Sequence, residues 1–128
     1  MKTQESGTRI KVRGTINALD NDPAIQWLVW RLSDKFGGCT VLPGITGYWT
    51  DGDILEREPA TIIEVSWPRR DYDTRAAYRD NDTQVIEQVR ALFATTQFSV
   101  GGDWCHIEVS EFEAAHCHHE HYACAKIG

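Results

Sequence analysis

Three stretches of this sequence combine residue types and spacings that suit chemistry. The first runs from Gly37-Gly38-Cys39-Thr40-Val41 through Gly47-Tyr48-Trp49 and the Asp51-Gly52-Asp53 turn to Glu58-Pro59 and Ile62-Ile63-Glu64-Val65. Tyr48 and Glu58 flank one polar loop, so a phenol and a carboxylate at its two ends are expected to meet across the strands and position a polar substrate. The same residues also make a plain hairpin with turn glycines and a core strand, and that reading stays open. The second stretch is a tail, His116-Cys117-His118-His119-Glu120-His121 and then Cys124, with Cys105 and His106 upstream. Imidazole and thiolate suit zinc and other borderline metals. The tail lacks paired C-x-x-C elements and matches no standard zinc module, so a solvated tail is the plainer reading and these residues stand as candidate ligands only. The third is Trp67-Pro68-Arg69-Arg70 with Arg75 and Arg79, an aromatic and arginine mixture of the kind found on nucleic-acid surfaces. Asp71, Asp73, Asp80 and Asp82 dilute its charge, so a solvated loop is expected. Gly101-Gly102 is too short for a phosphate loop, and no dinucleotide or Walker fingerprint is present.

These residues need elements to position them. Ile10, Val12 and Ile16 alternate with Arg9, Lys11, Arg13 and Thr15, which predicts a strand over 9–16 with one buried face. Asn21-Asp22-Pro23 is a helix start, a capping side chain followed by proline. Ile25, Leu28, Val29, Leu32 and Phe36 then recur at helical spacing up to Gly37-Gly38. A second strand is expected from Cys39 to Trp49, made irregular by Pro43, Gly44 and Gly47. A polar loop from Thr50 to Glu58 and a third strand from Ala60 to Trp67 complete a hairpin with a long connection. Residues 68–82 read as a charged surface excursion. Asp82 or Thr83 caps a second helix with Val85, Ile86, Val89, Leu92 and Phe93 on its apolar stripe. A last strand is expected from Asp103 to Ser110, with Cys105, Ile107 and Val109 on one face.

The order βαββαβ predicts an α+β, ferredoxin-like sandwich: a four-stranded antiparallel sheet with both helices on one face and strands 1 and 3 central. Such units also build PII-like trimers. The face away from the helices is expected to be apolar and to be covered in a homotrimer.

With 128 residues and 41% hydrophobic residues, the chain suits one domain, with its core over about 9–110 and a His/Cys-rich tail over 111–128. Thirteen basic against 19 acidic residues give a net charge of −6, which argues against a general nucleic-acid binder and permits a cationic small ligand. No apolar run approaches the ~18 residues of a membrane span. The polar start from Met1 to Lys11 has no signal-peptide character. A cytoplasmic location is expected, where the four cysteines stay unpaired.

The segment Gly47-Tyr48-Trp49, Glu58-Pro59 and Ile63-Glu64-Val65 resembles small ferredoxin-like proteins that include the phage S-adenosylmethionine (SAM) lyases, formerly called SAM hydrolases. The resemblance covers roughly residues 9–110 by element order and these short segments by residue type. It implies a tyrosine ending strand 2 and a glutamate starting strand 3 as catalytic residues, here Tyr48 and Glu58. It implies an acidic residue opening strand 4, here Asp103, binding substrate beside Trp49 and Glu64. Three departures stand out: Gly102 where the family often has glutamine, aspartate where glutamate is possible, and a long stretch over 68–82.

The implied reaction is displacement at the carbon beside the sulfonium by the substrate's own carboxylate, which yields methylthioadenosine and homoserine lactone. It needs no metal and no other cofactor. Glu58 and Asp103 anchor or polarise the substrate and Tyr48 orients it, in a site between subunits of a homotrimer. The ligand is SAM or a related adenosyl compound, met in the host cytoplasm if a phage encodes the chain. Two rival readings use the same residues differently. One is a PII-like trimer that binds or sequesters a nucleotide-like metabolite without catalysis. The other is a metal-binding protein that works through the His/Cys tail.

Overall fold

The computed structural model describes residues 7–69 and 76–113, with side chains 76–81 outside the description. Its elements run β1 (Thr8–Ile16), α1 (Pro23–Phe36), β2 (Thr40–Asp51), β3 (Ile54–Pro68), α2 (Ala76–Ser99) and β4 (His106–Glu113). The strands form one antiparallel sheet in the order β2-β3-β1-β4, so β1 and β3 are adjacent and central, as the element order predicts.

Local chemistry sets the ends of α1. The Asp22 carboxylate accepts from the Ala24 N–H at 2.8 Å, which satisfies one of the free donors of the first turn. Gly37 ends the helix with φ 86°, a left-handed conformation that glycine adopts without a Cβ clash, and its N–H donates to the Ser33 carbonyl at 2.8 Å.

Both helices cover one sheet face. Ile25, Leu28 and Leu32 of α1 and Val89 and Phe93 of α2 are fully buried against Val12, Ile16, Ile63 and Val65. Each such side chain contributes about 1.5–3 kcal/mol of burial. Gly14 admits the closest approach: a Cβ there would lie 2.3 Å from Phe93 Cδ1.

Four expectations need correction. The segment expected as a loop over Thr50–Glu58 is mostly strand, with only Gly52-Asp53 between β2 and β3. Past the Ile16–Thr61 rung, β2 and β3 pair only with each other, as far as Asp51 opposite Ile54. This outer arm has no core to face, so Ile54 and Leu55 are exposed and no apolar alternation marks the strand. Second, α2 begins at Ala76, inside the expected surface excursion, and Asp82 is a buried residue within the helix rather than its cap. The many charges of 75–82 hide the helical period there. Third, β4 starts at His106 instead of Asp103, because Gly101, at φ 95°, and the following residues turn the chain first. Last, the open sheet face is polar. Arg13 pairs with Glu64 (Nε to Oε2, 3.0 Å), Arg9 donates to Ser66 Oγ at 3.1 Å, and the Lys11 ammonium lies 5.4 Å from the Phe112 ring centre. No helix among the described residues is long and apolar enough to cross a membrane.

Candidate functional site

The end of the sheet where β1 stops gathers the residues of interest. Asn17 follows β1 directly. Its backbone N–H donates to Gln97 Oε1 at 3.0 Å, and Gln97 Nε2 donates back to Asn17 Oδ1 at 2.6 Å. Gln97 lies at the end of α2 and is only 3% exposed. A buried amide without partners costs about 1–3 kcal/mol, which makes this reciprocal pair a strong local constraint.

The pair reaches two further segments. Gln97 Nε2 also donates to the Trp104 carbonyl at 3.3 Å, and the Gly102 N–H donates to the Gln97 carbonyl at 2.9 Å, so the 101–105 turn is tied to α2. On the other side, a Cβ on Gly47 would sit 3.5 Å from Asn17 Nδ2. Thr61 Oγ1 donates to the Ala18 carbonyl at 2.8 Å, which holds the turn after β1 against β3. The base of the hairpin arm, with its Gly47–Glu58 rung, and the turn carrying Asp103 thus lie on two sides of the Asn17–Gln97 pair.

Of the residues named from sequence, Tyr48, Trp49 and Glu58 stand at the base of the arm and Asp103 in the turn before β4. Tyr48 is 60% exposed, Trp49 is 43% exposed and Glu58 is half-buried. The expected meeting of Tyr48 and Glu58 across the strands does not occur. Glu58 is opposite Gly47 and Tyr48 is opposite Arg57, one rung on, so the two side chains leave opposite faces of the ladder. Trp49, opposite Glu56, shares the face of Glu58. Glu64 is elsewhere: it pairs with Arg13 on the open face, opposite Thr40. At about 3.3 Å per residue it lies roughly 20 Å along β3 from Glu58. There it borders a shallow groove of about 460 Å³ that also meets Arg9, Lys11, Phe36 and Phe112.

The metal candidates separate in the same way. Cys105 Sγ donates to the Thr15 carbonyl at 3.4 Å, and burial pushes its thiol up to about 11, with the hydrogen bond to Thr15 partly offsetting this. His106, the next residue in the chain, is exposed, with its ring centre 6.4 Å from that of Trp104. Among the described residues no group of three or more His, Cys, Asp or Glu side chains could hold a metal ion. His116, Cys117, His118, His119, His121 and Cys124 lie outside the described residues, as do Arg70 and Arg75 and the Arg79 side chain. Trp67 is buried and stacks on Phe36 with ring centres 4.9 Å apart, so it offers no face to a base.

Asn17 and Gln97 were not singled out from sequence, although one carried a signal. Gln97 stands four residues after Phe93, which is four after Val89, so an amide falls on the apolar stripe of α2. A polar residue there needs a partner. Residue 102, where the resemblance implies glutamine, is glycine, and a Cβ there would have to displace the Gln97 side chain from its present position.

No protein-family model and no curated protein matches the chain. Solved structures do. A phage SAM lyase in its apo state superposes with a TM-score of 0.54 at 14% identity, covering 91% of both chains. The divalent ion tolerance protein CutA1 from Ehrlichia chaffeensis gives 0.53 at 8% identity, covering 91% of this chain and 90% of that one. The GlnK–ATP complex of B. subtilis gives 0.50 at 15% identity, covering 84% of each. The chain has the PII-like ferredoxin fold. At these identities the likeness concerns the fold.

Proposed function

We propose that this chain binds SAM at the corner formed by Tyr48, Glu58 and Asp103 and cleaves it by intramolecular displacement. The observation that carries this reading is the convergence of two segments distant in sequence, the Gly47–Glu58 rung and the turn around Asp103, on the Asn17–Gln97 pair. The fold likeness to a phage SAM lyase over 91% of both chains supports it.

In this reaction the substrate's carboxylate oxygen attacks the side-chain carbon bonded to sulfur. The C–O bond closes the lactone ring as the C–S bond breaks, and the electron pair goes to sulfur. Methylthioadenosine leaves, the amino group stays protonated on homoserine lactone, and no water, metal or redox partner enters. The protein has to hold a folded near-attack conformer, worth several kcal/mol of the barrier. The Glu58 carboxylate, half-buried at the arm base, holds the cationic end of the substrate, and Asp103 holds it from the turn. Tyr48 and Trp49 present aromatic surface to a sulfonium or an adenine ring. Tyr48 and Glu58 face opposite ways, so a site using both takes one of them from a neighbouring copy, and the active form is a homotrimer in the cytoplasm.

The exposure of Tyr48 at 60% leaves the corner of a single chain open to water, which favours a second reading: a PII-like module that captures a nucleotide-like metabolite and releases it unchanged. Incubation of purified protein with SAM, followed by chromatography, separates the two. Methylthioadenosine with homoserine lactone supports the lyase. Saturable SAM binding without products sinks the lyase and supports the module. Neither binding nor products sinks both.

A further inference from the structure

We infer that the Asn17–Gln97 amide pair is the positioning element of this corner, setting the distance between the arm that carries Glu58 and the turn that carries Asp103. The inference rests on the proposed use of these two acids, but its geometry does not. Gln97 belongs to neither segment, yet all its amide capacity is directed at their junction: Oε1 to the Asn17 N–H at 3.0 Å, Nε2 to Asn17 Oδ1 at 2.6 Å and to the Trp104 carbonyl at 3.3 Å. Gln97 is only 3% exposed, and its side chain fills the space that a Cβ on Gly102 would need. On the arm side, a Cβ on Gly47, the residue opposite Glu58, would lie 3.5 Å from Asn17 Nδ2, and Thr61 of β3 donates to the Ala18 carbonyl one residue on from Asn17.

Asp103 therefore sits between two residues whose backbones Gln97 holds directly, the Gly102 N–H through the Gln97 carbonyl and the Trp104 carbonyl through the side chain. The Asp103 side chain itself is exposed. Its own packing does not fix it, so the spacing of the two acids depends on this pair. A misplacement of about 1 Å in a near-attack geometry can cost roughly a hundredfold in rate. Gln97 and Asn17 are positioning residues here, because neither needs to touch substrate.

Two variants test this. Gln97→Glu keeps an acceptor for the Asn17 N–H and loses the donors to Asn17 Oδ1 and to the Trp104 carbonyl. Gln97→Met keeps the length of the side chain and loses every bond. Steady-state kinetics on SAM are read per folded molecule, with folded fraction taken from thermal melts. Gln97→Glu should lower kcat about ten- to a hundredfold with KM changed less than threefold, and Gln97→Met should lower it further. An unchanged kcat per folded molecule for both variants, with only the melting temperature reduced, overturns the inference, since that is what a purely structural amide gives. If the wild type leaves SAM intact, the lyase reading fails and the positioning claim is read from backbone ¹⁵N order parameters. Gln97→Glu should then lower those of residues 102–105 while leaving β1 unchanged. Order parameters equal to wild type across 102–105 overturn it.

Discussion

Tyr48 and Glu58 stand one rung apart on the β2–β3 ladder and leave it from opposite faces, because Glu58 is opposite Gly47 and Tyr48 is opposite Arg57. Within one chain the two side chains therefore do not face a common pocket. In a homotrimer whose sites lie between copies, one chain supplies the tyrosine and its neighbour the glutamate. Chains carrying Tyr48→Phe, weakly active alone, and chains carrying Glu58→Gln, nearly inactive alone, should then complement when unfolded together and refolded as a mixture. Random assembly restores about a quarter of the wild-type rate, since each site needs an intact residue from each of two chains. A mixture no more active than its components rules out sharing.

The two single variants should differ in how they fail. Glu58→Gln keeps the shape and removes the charge facing the substrate's cationic end, so kcat/KM on SAM should fall about a hundred- to a thousandfold. Tyr48→Phe removes one hydroxyl and little surface, and about a tenfold loss is expected. Thermal melts should stay within a degree or two of wild type, because Tyr48 is 60% exposed and Glu58 makes no buried contact in the core cluster. Equal rates for wild type and Glu58→Gln would remove Glu58 from the site.

Much of this architecture is legible in the residues themselves. The alternation of Ile10, Val12 and Ile16, the Asp22-Pro23 helix start and the Gly37 stop each correspond to an observed element, because one face or one capping group decides each of them locally. The arm was missed for a physical reason. Strand residues 54–58 are paired on one side and solvated on both faces, so no burial pattern exists to be read. The start of α2 was missed because its first turns carry charge in place of a stripe. For the site, residue types pointed to Tyr48, Glu58 and Asp103, but register decides which way a strand residue faces, and a shift of one rung reverses it. Glu64 is a different case: six residues from Glu58 it leaves the same face of β3, but it lies roughly 20 Å along the strand, where it pairs with Arg13.

Gly14 is a stability position rather than a site position. A Cβ there would lie 2.3 Å from Phe93 Cδ1 and 2.5 Å from Cε1, inside a fully buried contact. Gly14→Ala should cost about 1–3 kcal/mol in denaturant melts, the usual range for overpacking a core. Adding Phe93→Leu should make the double variant less destabilised than the sum of the two singles, because the smaller side chain relieves the clash. Strict additivity would mean that the two residues do not press on each other.

Cys105 gives a pH signature. Burial raises its thiol from 9.0 to about 11 in the folded protein. The unfolded chain therefore loses this proton first as pH rises, while the folded chain retains it. The corresponding stability is complete below about pH 9 and is lost progressively as pH rises from 9 towards 11. Urea midpoints of wild type and Cys105→Ser over that window should converge as pH increases. At pH 8, iodoacetamide should modify Cys105 far more slowly in the folded protein than in urea. Rapid labelling of native Cys105 at pH 8 would contradict the burial of its thiol.

The tail supplies the sharpest contrast between readings. β4 leaves the corner near Trp104 and ends at Glu113, opposite Thr8 at the far end of the sheet. At about 3.3 Å per residue, roughly 25 Å of strand separates that point from the corner. The proposed displacement reaction uses no metal. A chain truncated after Ala115 should keep at least half of the wild-type turnover of SAM, with and without a chelator. Glu58→Gln in the full-length chain should lose nearly all of it. Both should be measured in one assay, with bound zinc determined before and after truncation. If truncation or chelation abolishes turnover while Glu58→Gln retains it, the chemistry belongs to His116, Cys117, His118, His119, His121 and Cys124, and the corner is only a structural joint. If the truncated chain turns over SAM without zinc, the tail is dispensable and the acids at the corner carry the reaction.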